Sequence, residues 1–512
     1  MNPAVAVSGW GVDAQNHRYI PESAAGITRE KVGRLTLKWA YGLPDTEAPR
    51  FMPLISADTV IVSDADGLVY ALGREDGCEK WRFDAGSQVR TGFRYLRDGA
   101  RHLVYFGTFG ADLIALDLLT GREAWRSNLA DHPRAMLSGS GIDHDGVIYQ
   151  PVSSWEVAWA LNPFYACCTF RASVVAVRAA TGEQLWRGYI IEEEPQVVES
   201  RLLLPDHLGP SGAPAWSQPT LDPARGLLYV GTGENYSQPA TDTSDAILAF
   251  DMASGEMAWK QQFLPGDIWN MACEAPLHHN CPDGSGEDLD FGAPPILARV
   301  GERDYILAGQ KSGRVFALDP ASKGEPLWSY RAGAGGKAGG VHFAMAVDSG
   351  RGVLYVPVSD RPIANLEDSS DGAPNPSLHA LDIATGKPLW ETAAPGDCRD
   401  PASDNGERLE GCFEGFSAAI TVTDNLVFAP TLDGFLRAFD ADTGEQLWAL
   451  DTRGDYPSAS DTPAYGGAID YGGVFLDGGE LFVSSGYGQF GQIPGNAFMV
   501  FSVATDTNEQ AP

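Results

Sequence analysis

The most reactive side chains of this sequence are its cysteines and histidines, and their spacing limits what chemistry they can do. Seven cysteines fall as an adjacent pair, Cys167-Cys168, two short-range pairs, Cys273 with Cys281 and Cys398 with Cys412, and a single Cys78. The short-range pairs suit loop-stapling disulfides and an oxidising compartment, with reduced thiols in a cytosolic protein as the plainer alternative. The adjacent pair can close an eight-membered disulfide ring, a rare feature. His278-His279 precede Cys281 and invite a zinc reading. Their spacing matches no common zinc pattern, and a Cys273–Cys281 disulfide would consume the thiolates. No C-x-x-C-H occurs, which excludes covalently attached haem in this chain. The acidic run Glu287-Asp288-Leu289-Asp290 offers hard oxygen ligands for Ca2+, although a solvated loop is the expected use of such a run.

The elements that must position these groups are repeats. An apolar strand, a Gly-containing turn and a Trp recur at Trp81, Trp125, Trp186, Trp259, Trp328, Trp390 and Trp448, as in ALDLLTGREAW and AFDADTGEQLW. Upstream of each phrase usually lies another strand and turn, such as LLYVGTGEN (227–235). About four short strands per unit make one propeller blade, and the repeated Trp is expected to wedge between neighbouring blades. The Trp spacings run from 44 to 73 residues, against about 40–45 for a bare blade, so the long insertions are the expected carriers of function. An eighth unit is split. The strand NAFMVFSVATDTNE (496–509) stops before any Trp, and LTLKWAYGLP (35–44) supplies Trp39 without a preceding turn. Joining them, with 27–45 and 470–506 forming the closing blade, predicts an all-β, eight-bladed β-propeller occupying residues 1–512 as one domain. Eight of thirteen Trp are used in this way, leaving Trp10, Trp155, Trp159, Trp216 and Trp269 without a repeat role.

Lys plus Arg at 36 against Asp plus Glu at 68 gives a net charge of −32. That balance disfavours nucleic acid or an anionic membrane as a partner and favours a basic protein, with simple solubility as the bland alternative. No run of eighteen apolar residues is present, so no membrane-spanning helix is expected. The opening MNPAVAVSGW has no signal-peptide pattern and reads as a mature chain with an added Met.

Longer stretches are more specific. They include YACCTFRASVVAVRAATGEQLW (165–186), PAWSQPTLDPARGLLYVGTGENYSQP (214–239), LPGDIWNMACE (264–274), NCPDGSGEDLDFG (280–292) and SSGYGQFGQIPGN (484–496). Across nearly its whole length the sequence resembles the eight-bladed pyrroloquinoline quinone (PQQ) alcohol dehydrogenases, and within them the polyvinyl alcohol dehydrogenase branch. The resemblance implies a flat tricarboxylate o-quinone held by planar apolar faces, cations and a metal. It makes Trp216 the floor beneath the quinone and the Cys167-Cys168 pair the cover on the opposite face. It makes Arg90 a partner of a cofactor carboxylate and Lys311 a cation near the quinone oxygens, where it also serves catalysis. It implies Ca2+, or a lanthanide, with Glu156 as the first ligand and Glu234 or Asn235 as the second.

One position departs from the pattern. The family's general base follows the Trp of a D-x-W-D phrase, and here Asp267-Ile268-Trp269-Asn270 places an amide, Asn270, at the catalytic position. Asp267 is the expected substitute, ahead of Glu234. The implied activity is oxidation of an alcohol, on a polymer or bulky molecule, in the periplasm or outside the cell, with electrons leaving to a carrier such as cytochrome c. The alternative is a propeller scaffold of the outer-membrane assembly type, or a degenerate protein that binds PQQ without turnover; Asn270 gives that alternative its weight.

Overall fold

A computed structural model describes residues 4–361, 373–400 and 405–504. Eight antiparallel sheets of four or five strands form the blades of a propeller. The first blade runs outward from Leu54–Ser56 through Thr59–Ser63 and Leu68–Gly73 to Glu79–Asp84. Its middle strands are apolar on both sides because each sheet packs face to face with two neighbours. The outermost strand instead alternates between exposed and half-buried residues. The fourth blade comprises Thr220–Asp222, Leu227–Gly231, Ala246–Asp251 and Met257–Gln262. The fifth comprises Ile296–Val300, Arg303–Gly309, Arg314–Asp319 and Glu325–Arg331.

In the eighth blade three strands come from the C-terminal end: Val474–Asp477, Glu480–Ser485 and Ala497–Val503. The fourth is Leu35–Gly42, which pairs with Ala497–Val503 from Leu35 opposite Val503 to Gly42 opposite Ala497. The expected closure is therefore a hydrogen-bonded ladder, interrupted by one bulge between Leu37 and Trp39, and the ring keeps no open edge there. No helix among the described residues is long and apolar enough to cross a membrane.

The repeated Trp does a specific job. Each indole from Trp39 to Trp390 lies against the turn glycine of the next blade: Trp39 on Gly77, Trp81 on Gly121, Trp125 on Gly182, and so on to Trp390 on Gly444. Gly182 has φ 76°, and a Cβ there would sit 2.7 Å from the Trp125 ring, so conformation and contact both demand glycine. Trp125 Nε1 also donates to the Ala179 carbonyl at 3.0 Å. Trp39, Trp81, Trp186, Trp328 and Trp390 make the equivalent bond. Trp259 keeps the stacking on Gly324, but its Nε1 has no partner. The turn it meets carries a 3-10 helix, Pro320–Ser322, which displaces the carbonyl the other turns offer.

The stretch before the first blade closes the ring from below. Its backbone bonds in turn to Phe93, Leu221, Leu297, Val347 and Val422, so residues 9–20 cross the second, fourth, fifth, sixth and seventh blades. The buried Arg18 guanidinium fixes this segment, donating to the carbonyls of Trp10 and Ile420 at 2.6 Å each and to those of Gly472 and Val474.

The docking geometry makes a graded prediction. Gly86 has φ 77° but open space around its missing Cβ, so Gly86→Ala bears only the left-handed backbone cost, about 1–2 kcal/mol. Gly182→Ala adds overpacking against Trp125, about another 1–3 kcal/mol. The midpoint of thermal unfolding is expected to fall clearly further for Gly182→Ala; equal falls would show that the indole does not constrain the turn.

Candidate active site

Loops of the fourth and fifth blades meet at one wall of the propeller axis. Trp216 precedes the first strand of the fourth blade and Glu234 follows its second. Asp288 and Asp290 lie in the approach to the fifth blade, and Lys311 sits in the turn between that blade's second and third strands. Asp288 has a left-handed backbone, φ 56°, and both it and Asp290 turn their carboxylates to Lys311. Asp267 holds that segment in place, its carboxylate accepting the backbone N–H groups of Glu287 at 2.9 Å and Leu289 at 3.3 Å.

The result is a compact charged group on an aromatic platform. Lys311 Nζ donates to Asp288 Oδ1 and to Asp290 Oδ2, both at 2.9 Å, and lies 5.7 Å from the centre of the Trp216 ring. Trp216 Nε1 donates to the same Asp290 oxygen at 3.0 Å. One oxygen of each of Glu234, Asp288 and Asp290 falls within 4.8 Å of the others. Burial works against the Lys311 charge, but Asp288, Asp290 and Glu234 override it and keep the ammonium protonated. Burial pushes the Asp288 carboxyl up to about 7 despite Lys311. Asp290 is also buried, yet Lys311 and the hydrogen bonds it accepts hold it below the usual carboxylate range. Glu234 is raised well above that range by burial and by Asp290 and Asp288.

Three ionised carboxylates against one ammonium would leave excess negative charge in a buried place; the raised Glu234 and Asp288 carboxyls reflect that cost, and a bound cation would compensate it. Asp290 Oδ1 is buried without a hydrogen-bond partner. Gly233 has no side chain to fill the space beside it, where a Cβ would meet that oxygen. An unpartnered carboxylate oxygen in an all-oxygen donor set fits a hard cation such as Ca2+.

A second set of cations gathers near Trp216 and Tyr471, led by Arg90. The Arg90 guanidinium lies 5.9 Å from the Trp216 ring centre and 5.0 Å from that of Tyr471, whose hydroxyl donates to the Arg90 carbonyl. Arg50 and Arg361 are lowered by burial. The Nε atoms of Arg50, Arg90 and Arg361 are buried without partners, and none of the three forms an ion pair among the described residues. Ser138 Oγ, in the small cavity walled by Trp10, Trp216, Phe343 and Tyr471, is likewise unpartnered. Unpaired guanidiniums around an indole face fit a flat ligand bearing several carboxylates.

The structure thus brings together Trp216, Arg90, Lys311 and Glu234 from the sequence expectations. It adds Asp288 and Asp290, which correct the solvated-loop reading of the 287–290 run: Glu287 is exposed, but the next three residues are buried. The other expected residues are engaged elsewhere. Asn270 caps a 3-10 helix, Met271–Glu274, by accepting from Ala272 N–H, and donates to the carbonyls of Tyr236 and Asn280. Asn235 accepts the Thr241 N–H at 2.8 Å and donates to the Ser211 carbonyl.

Glu156 is fully buried, and its oxygens accept from Tyr165 Oη, Thr169 N and Phe170 N at 2.8 Å each, anchoring the loop that carries the cysteine pair. Cys167 and Cys168 form a disulfide, as do Cys273 with Cys281 and Cys398 with Cys412. Cys167 lines a cleft with Val198, His207, Gln238 and Asn280, not the cavity beneath Trp216. Phe170, two residues after the pair, stacks on Tyr236, which follows Glu234 closely in sequence.

Comparison with known proteins agrees with this geometry. The PQQ family described as glucose/ethanol/alcohol dehydrogenase, β-propeller domain, matches residues 8–331. The outer membrane protein assembly factor BamB family matches residues 355–471, a stretch of repeats that holds neither Trp216 nor the Lys311 cluster. A polyvinylalcohol dehydrogenase of Pseudomonas sp is 34% identical, covering 97% of this chain and 76% of its own. The solved quinohemoprotein alcohol dehydrogenase ADHIIG of Pseudomonas putida HK5 superposes with a TM-score of 0.70 at 20% identity, covering 100% of this chain and 82% of the other. A europium-containing methanol dehydrogenase does so at 0.68 and 18% identity, covering 98% of both chains. The chain belongs to the PQQ-dependent alcohol dehydrogenase family, with polyvinyl alcohol dehydrogenases among its relatives, and is an oxidoreductase acting on alcohols.

Proposed function

We propose that PQQ lies on Trp216 with its carboxylates toward Arg50, Arg90 and Arg361, and that Glu234 and Asp290 hold a cation at its quinone edge. The observation that carries this reading is the gathering of charge about one indole: the Arg90 guanidinium, without an ion-pair partner among the described residues, lies near its ring, and a buried carboxylate cluster around Lys311 meets its N–H. When bound, the quinone accepts hydride from the alcohol carbon, and the cation polarises it as a Lewis acid.

The chain's own residues do the rest. Asp288 takes the hydroxyl proton; its raised carboxyl, close to neutrality, suits a general base. Lys311, kept protonated, offsets the negative charge that develops on the quinone oxygens. Asp290, fixed by Lys311 and the Trp216 N–H, presents its free Oδ1 to the cation. Two ligand carboxylates suit Ca2+, and the third acidic group, Asp288, raises the local charge toward what a trivalent lanthanide requires. The relatives named for polyvinyl alcohol support a polymeric or bulky alcohol as substrate. Membership of an alcohol dehydrogenase family supports an electron acceptor such as cytochrome c, and three disulfides support a periplasmic or secreted setting.

Addition of PQQ with Ca2+ to the pure protein is expected to give alcohol-dependent reduction of an artificial dye, lost on chelation and restored by Ca2+ or a lanthanide. A folded protein that takes up no PQQ would overturn the reading. Asp288→Asn should lower kcat by about a hundredfold or more while cofactor uptake, followed by absorbance, is retained. Asp267→Asn keeps an oxygen for the 287–289 backbone and should lower kcat less than tenfold, on the order of the loss of one loop contact. The reverse ranking would make Asp267 the base.

A further inference from the structure

His342 stands edge-on to the Trp216 indole, ring centres 6.2 Å apart at 81°, and stacks on Phe343 at 4.1 Å. Its Nδ1 lies 3.1 Å from Ser417 Oγ. Ser417 in turn faces Asp470, a buried carboxyl that accepts the Tyr471 N–H at 2.8 Å and the Gln492 side-chain amide at 3.2 Å. These groups come from three different blade connections, and no expected site residue is among them. The hydrogen-bond order follows from Asp470, both of whose oxygens accept N–H groups, as suits a carboxylate. An ionised Asp470 accepts the Ser417 hydroxyl proton, so the Ser417 oxygen accepts from Nδ1–H, and Nε2 keeps its lone pair. Nε2 has no hydrogen-bond partner among the described residues, and the ring is only partly covered.

The charged groups that face His342 are Lys311, Arg361, Arg90 and Asp290. Burial, followed by the three cations, holds the imidazole well below its usual range, so it is neutral at neutral pH. Burial raises the Asp470 carboxyl, while the Ser417 and Tyr471 bonds, Arg361 and Gln492 favour its anion.

We infer that His342, oriented through Ser417 by Asp470, is a second proton acceptor of the site, taking through Nε2 a proton released when the ligand on Trp216 is reoxidised. The inference rests on the PQQ reading. Asp288 hands the hydroxyl proton on to the ligand that has received hydride, so return of that reduced ligand to the quinone releases two electrons and two protons. A one-electron protein carrier removes the electrons in two steps. One ligand O–H bond breaks as an N–H bond forms at Nε2, and the imidazolium then gives that proton to water; the other proton leaves to solvent directly. Asp288 serves the substrate hydroxyl from the Lys311 side, so the two proton acceptors belong to separate half-reactions. The three nearby cations keep the imidazolium short-lived, which returns the lone pair for the next cycle.

Two measurements test this. In the apoprotein, 15N chemical shifts of His342, assigned through His342→Gln, are expected to show Nδ1 protonated and Nε2 bare at pH 7. Ser417→Ala should disturb that tautomer. A protonated Nε2 would overturn the inference without reference to any cofactor. In the PQQ- and Ca2+-loaded protein, stopped-flow absorbance separates reduction by alcohol from reoxidation by a one-electron acceptor. His342→Gln should slow reoxidation at least tenfold more than reduction, of the order expected for loss of a general base, with partial rescue by added imidazole. Ser417→Ala and Asp470→Asn should show the same selective effect, more weakly. Equal slowing of both steps, or none of either, overturns the inference alone. A wild-type protein that takes up no PQQ overturns the quinoprotein reading and this inference together.

Discussion

Everything in this molecule is referred to the distance between neighbouring blades, and that distance is set by an indole lying flat on a glycine. The Trp of one outer strand meets the left-handed turn of the next blade, where no other side chain fits, and in most cases adds a hydrogen bond to the same turn. Because this contact recurs around the ring, it fixes the radius and hence how far the inner loops must reach to touch at the axis. At Trp259 the turn is altered and the hydrogen bond is absent, yet the stacking persists. Shape, more than the N–H bond, carries the constraint.

At the axis the ring does electrostatic work that no single blade could do. The fourth blade supplies Trp216 and Glu234, and the fifth supplies Lys311 with the two aspartates before it. Arg50, Arg90 and Arg361 arrive from three other connections. Burying that much charge is tolerable only because opposite signs are paired or because a ligand completes them. The site is therefore a set of partial charges fixed by a rigid frame, with vacant valences at Asp290 Oδ1 and at the arginine Nε atoms.

The frame was legible in the sequence because it is written repeatedly. Subtraction of the repeat Trp isolated Trp216, and the resemblance added Arg90, Lys311 and Glu234. Asp288 and Asp290 were passed over because an acidic run ordinarily faces water. Their burial depends on Asp267 gripping a backbone some twenty residues away, and on Lys311 arriving from the next hairpin. The available signal was local: the two acids flank Leu289 and run straight into Phe291, apolar residues that are both buried. Asn270 shows a related ambiguity, since a capping Asn and a catalytic carboxylate can follow the same Trp. Glu156 shows the limit from the other side, a buried acid in a suggestive place whose oxygens are occupied by the loop it anchors.

The closing ladder has a consequence in time. Gly42 pairs with Ala497, so the strand that completes the ring is made about 455 residues before its partner. At about 5–20 residues per second of synthesis, that strand waits on the order of half a minute or more with its backbone groups unpaired. Its edge is then a template for any other chain. The ribosome thus finishes seven blades before the eighth can exist, and the unclosed molecule, rather than the ring, is the form most in need of protection during its making.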